Sequence, residues 1–123
     1  MSDAIHADAA PPQAGPYSHA VRTGNLVFLA GQGPFDPVTG KIPETFDDQV
    51  KQTLENLAAV AAAAGGSLAD AVRVGVYLQT METFAALNSV YAEFFTEPYP
   101  ARTTIQSGMN IPIEIDAVLE LVS

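Results

Sequence analysis

At 123 residues, without cysteine and with a formal net charge of −9, the chain has one domain's length and offers neither disulfides, thiolate metal sites nor the Lys/Arg density that a phosphate backbone demands. Charged residues make up only 15% against 48% hydrophobic, below the roughly 25% charge usual in soluble domains, so part of the surface is expected to meet another subunit. The start, MSDAIHADAAPPQ, has neither a basic flank nor an apolar run, and LAAVAAAA is far too short to span a bilayer; the chain reads as cytoplasmic, with no nucleic-acid or membrane partner.

Residues 1–14 hold Ala, Pro, Asp and His without a period and read as a loosely ordered lead-in to one 1–123 domain. SHAVRTGNLVFLAGQ places Gly24-Asn25 between two apolar runs, a hairpin signal, and Pro34, Pro37 and Gly40 then force repeated turns. From Thr45 the period becomes helical: Val50, Leu54, Leu57, Ala58 and Ala61 share a face, Asp47 and Asp48 suit the first turn, and Gly65-Gly66 ends the run. AVRVGVYLQ alternates Val72, Val74, Val76 and Leu78 with other residues, as a strand with one face on a core. Thr80 can cap a second helix with the stripe Phe84, Leu87, Tyr91, Phe94 and Phe95, stopped by Pro98 and Pro100. ARTTIQS and IPIEIDAVLELV are extended. The order β-β-α-β-α-β-β is that of an α+β domain, a mixed sheet with two helices on one face. The other face needs a cover, and a second copy of the chain is the simplest one.

Several motifs fail on inspection. AGQGPFD lacks the last glycine of a dinucleotide fingerprint, and DPVTGK has Phe35 and Ile42 where a P-loop needs Gly and Ser or Thr. His6 and His19 have no second ligand pair at zinc spacing, so a hydrogen-bonded histidine is the expected role, and no metal is implied.

In IPIEIDAVLELV the odd positions are apolar, while Glu114, Asp116 and Glu120 share the opposite side, with same-face neighbours roughly 7 Å apart. They would repel if that face were dry. Ahead of this strand stands Arg102, one of five Lys and Arg against fourteen Asp and Glu. One reading is a solvated acidic face with a loosely paired surface cation. The other is catalytic: a guanidinium fork fixes a small carboxylate, and Glu114 holds a water beside the adjoining carbon, which suits hydrolysis of an already electrophilic centre.

GPYSHA (15–20), GNLVFLAGQGPFDPVTGKI (24–42), QTLENLAAV, FAALNSVYAEFF (84–95), PAR (100–102) and IEIDA (113–117) occur in the order and spacing of the RidA/YjgF reactive-intermediate deaminases, and the chain resembles that family over nearly its whole length. The resemblance implies a chorismate-mutase-like α+β fold (as in the bacillus enzyme) and a homotrimer with three intersubunit clefts. It also implies cofactor-independent hydrolysis of 2-imino acids or their enamine tautomers to 2-oxo acids and ammonia. By the same resemblance Arg102 binds the substrate carboxylate and Glu114 orients the water, Thr104 helps hold water through its backbone carbonyl, and Tyr17, Gly31 and Asn88 line the cleft. The Gln106–Pro112 connection is shorter than in typical members, and Ala30 stands where serine is frequent. Two further readings stay beside this one: a non-catalytic small-acid-binding or regulatory trimer, and an endoribonuclease, which the acidic charge and the lack of a placed histidine pair disfavour.

Overall fold

The hairpin expected at Gly24-Asn25 forms between β2 (Ala20–Thr23) and β3 (Leu26–Gln32), with Thr23 paired to Leu26 and Gly24 at φ 59°. A positive φ at the first of two central residues matches the twist of the flanking strands, and glycine reaches it without a Cβ clash. These coordinates are a computed structural model that describes residues 2–122; Met1 and Ser123 lie outside the described residues.

The lead-in is more ordered than its composition suggests. Ser2–Ile5 form β1, antiparallel to β2 in the register Ser2↔Thr23 to Ile5↔Ala20. Such an edge strand is held by backbone pairing, so it carries no side-chain alternation for a sequence reading to find. Farther along, Ala7 and Ala10 are buried.

Helix α1 (Phe46–Ala63) starts where expected, with the Thr45 side chain accepting from Asp48 N–H at 3.2 Å. It ends in a Schellman motif: Gly66 N–H donates to Ala61 O and Gly65 N–H to Ala62 O, with Gly65 at φ 87°. Val50, Leu54, Leu57, Val60 and Ala61 are buried on one face, and each large side chain so buried stabilises the fold by about 1.5–3 kcal/mol.

β4 (Ala71–Leu78) buries Val74, Val76 and Leu78 as predicted, but Val72 is 44% exposed. Ala71 faces Leu119 while Arg73 faces Val118, so Val72 is the extra residue of a bulge and leaves the alternation. The second helix is split. Thr80 caps a 3₁₀ turn at Met81–Thr83, and α2 (Phe84–Tyr91) follows; Phe94 and Phe95 lie beyond it, with Phe95 still buried.

β5 (Ala101–Gln106) runs parallel to β4, and β6 (Ile113–Glu120) antiparallel to both β3 and β4, giving the mixed order β1-β2-β3-β6-β4-β5. α1 packs on β3 and β6 and against α2. Ile113, Ile115, Ala117 and Leu119 point into that helix-covered core, whereas Leu26, Phe28 and Ile105 are exposed on the other face. No helix among the described residues is long and apolar enough to cross a membrane.

Candidate active site

Register decides where the candidate residues stand. On β5, Arg102 pairs with Val74 and Thr104 with Val76, so both project to the helix side of the sheet. On β6, Glu114 pairs with Tyr77, between the inward residues Val76 and Leu78, so it projects to the open side. Arg102 and Glu114 of one chain are therefore separated by the sheet itself, and two strand spacings, about 10 Å, add to the distance. They cannot hold one small molecule between them.

Each is the centre of a separate hollow. Arg102 Nη2 donates to Asn88 Oδ1 at 2.8 Å, and its guanidinium carbon lies 4.7 Å from the Tyr91 ring centre and 5.7 Å from that of Phe84. Aromatic faces of this kind stabilise a cation by about 0.5–2 kcal/mol and fix the plane of the fork. The side chain borders a cavity of about 280 Å³ with Asn88, Tyr91, Ala92, Tyr99 and Pro100. Burial pushes the Tyr91 hydroxyl up from its usual pKa, and the Arg102 charge pulls it partly back. Thr104 Oγ1 and Tyr91 Oη are buried without hydrogen-bond partners among the described residues.

Glu114 borders a second cavity, about 170 Å³, with Tyr17, His19, Gly31, Gln32 and Phe35 among its walls. The strand opposite bulges there: Leu29 pairs with Ala117 but Gln32 with Ile115, leaving one extra residue at Ala30-Gly31. A Cβ on Gly31 would stand 2.5 Å from Glu114 Oε2 and 2.8 Å from its carboxyl carbon. Gly31 is thus the clearance that lets the carboxylate lie against the strand. Burial first, and then the Asp116 carboxylate two residues on, push the Glu114 carboxyl above its ordinary pKa.

Asp116 is itself held. Tyr77 Oη donates to its Oδ2 at 2.9 Å, and Arg73 Nη1 stands 3.7 Å from its Oδ1. Gly75, directly opposite on β4, leaves the room in which these three side chains converge. The hydrogen bond to Asp116, followed by burial, raises the Tyr77 pKa.

The predicted residues therefore divide into Arg102, Asn88 and Thr104 on the helix side, and Glu114, Gly31 and Tyr17 around the other cavity. Tyr17 is 48% exposed and its hydroxyl accepts from Ala14 N–H at 3.2 Å. The aromatic platform of Tyr91 and Phe84 escaped the sequence reading, which placed both in an apolar helix stripe. The Arg73–Asp116–Tyr77 cluster escaped it too; its one signal was the spacing of Glu114 and Asp116 on a shared face.

The family model for endoribonuclease L-PSP matches residues 7–120. A RutC family protein of Pyrococcus horikoshii is 45% identical over 122 residues, covering 96% of this chain and 97% of that one. The chain belongs to the endoribonuclease L-PSP family, the YjgF/RidA family. Its members include Escherichia coli TdcF, provisionally named a reactive intermediate deaminase, 37% identical over 96% of both chains. Among solved structures of the family, RidA from an Antarctic Psychrobacter superposes with a TM-score of 0.93 at 41% identity, over 97% of this chain and 99% of that one. E. coli TdcF with bound serine gives 0.92 at 36%, over 98% and 99%. The two helices on one face of a mixed sheet are this family's fold, and the chorismate-mutase-like description fits it.

Proposed function

We propose that the chain is a hydrolytic deaminase of reactive 2-imino acids and their enamine tautomers, such as 2-aminoacrylate, 2-iminopropanoate and 2-iminobutanoate, working as a homotrimer without a cofactor. The observation that carries this reading is the division of the site. Arg102 presents a fixed cation on one side of the sheet, and Glu114 presents a carboxyl of raised pKa on the other. A cleft between subunits joins Arg102 of one chain to Glu114 of the partner subunit. The exposed Leu26, Phe28 and Ile105 on the open face support such packing. That a relative's structure holds serine, a small acid with a carboxylate beside its nitrogen-bearing carbon, agrees with the ligand class.

In this cleft Arg102 grips the substrate carboxylate, with Asn88, Tyr91 and Phe84 holding the guanidinium. Glu114 takes a proton from water as its oxygen bonds to C2. The C=N electron pair moves to nitrogen, which takes up that proton from Glu114; the resulting carbinolamine passes its hydroxyl proton to nitrogen and expels ammonia, leaving the 2-oxo acid. An enamine first accepts a proton at C3 and gives one up from nitrogen, which makes it the imine. Because the imine carbon is already electrophilic, positioning and one proton carrier suffice. Thr104 lends its carbonyl to the water, and Tyr17 and Gly31 shape the acid's side of the cleft.

The test couples the protein to a pyridoxal-phosphate dehydratase that releases 2-aminoacrylate or 2-iminobutanoate. Wild type should accelerate 2-oxo acid formation, and Arg102→Ala should lose at least about 10²-fold in kcat/KM, as expected when a charge-assisted fork is removed. Equal rates with wild type, variant and no protein would reject the enzyme. Saturable 2-oxo acid binding without hydrolysis would favour a small-acid-binding trimer instead.

A further inference from the structure

His19 is a buried titratable group for which the proposed chemistry has no use. It is 1% exposed, its Nδ1 accepts from Ala7 N–H at 3.0 Å, and its Nε2 lies 2.8 Å from the Pro11 carbonyl. An amide only donates and a carbonyl only accepts, so the ring in this arrangement is neutral with its proton on Nε2. Both bonds reach back to a segment whose Ala7 and Ala10 are buried and whose continuation, Pro11, Pro12, Ala14 and Tyr17, walls the Glu114 cavity.

We propose that His19 is a positioning residue: neutral, it straps residues 7–17 over the Glu114 half-site, and on taking up a proton it releases them. A protonated ring would aim an N–H at the Ala7 N–H, replacing a hydrogen bond by two opposed donors in a buried place. Among the described residues the titratable groups beside it are His6, whose ring centre is 4.9 Å away and whose Nε2 meets Asp8 at 3.1 Å, and Glu114 and Tyr17, which line the same cavity. The tie itself stands independently of the deaminase reading; its effect on turnover rests on that reading.

Glutamine supplies the same acceptor and donor from one amide and does not titrate, so His19→Gln separates protonation from packing. Amide hydrogen exchange of the full chain, corrected for intrinsic rates, would be followed by NMR from about pH 8 to about pH 5. Ala7 protection should fall about tenfold in wild type and less than about twofold in H19Q, while Val76 in β4 stays protected in both. Constant Ala7 protection in wild type, the same loss in H19Q, or loss of Val76 together with Ala7 would overturn the strap. In the coupled assay, an acid-side fall in turnover that H19Q lacks would support its role at the site. No hydrolysis in either protein, with Ala7 still released in wild type alone, would leave the strap standing and remove the deaminase reading.

Discussion

The two hollows hold opposite charges by opposite means. Around Arg102 the charge is stabilised in place: Asn88 takes one donor and the Tyr91 and Phe84 rings lie close to the charge, so the guanidinium is presented ready to bind an anion. Around Glu114 the charge is opposed, by burial and by Asp116, so that carboxyl is poised to accept or keep a proton. A binding group benefits from permanent charge, whereas a proton carrier benefits from a pKa moved toward the working pH. The sheet keeps the two environments apart within a chain, and assembly would bring one of each together.

That contrast can be broken from the acid's side. Gly31→Ala puts a methyl group 2.5 Å from the present position of Glu114 Oε2, so the carboxylate has to move. Turnover should drop by about 10²-fold through misplacement of the carboxyl, while 2-oxo acid binding at Arg102, measured by calorimetry, changes little. Parallel loss of both would mean that the two hollows are not separable.

A smaller effect sharpens the same difference. Folding raises the Glu114 pKa above its ordinary 4.5, so the protonated form is the one the fold favours. The stability this contributes is whole below the unfolded value and is lost as pH rises through the folded one. At neutral pH the ionised side chain is a net cost. Glu114→Gln should therefore raise stability at pH 7 by less than about 1 kcal/mol, given solvent screening, and the gain should vanish near pH 4. Urea midpoints at fixed protein concentration measure it; a destabilised variant at pH 7 would show that the carboxylate is held by a favourable contact instead.

Much of the fold was legible because its core obeys simple periods. The odd positions of β6 and the 3.6-residue stripe of α1 turn inward as read, and Thr45 and Gly65-Gly66 bound the helix. What was hidden depends on partners far along the chain. Val72 is displaced by a bulge against Leu119 and Val118, and β1 is made by backbone pairing and followed by a segment tied to a histidine 12 residues on from Ala7. Residue types identified Arg102 and Glu114 as candidates, but their placement on opposite faces follows from the β4–β5 and β4–β6 registers, which no local pattern encodes.

The most direct measurement mixes two inactive proteins. Arg102→Ala and Glu114→Gln chains, each expected to lack turnover alone, are unfolded together in equal amounts and refolded as mixed assemblies. If every working cleft takes Arg102 from one chain and Glu114 from its neighbour, random assortment restores about a quarter of wild-type activity. A mixture whose assembly is confirmed by mass but whose activity stays at the level of the parents would contradict the shared site.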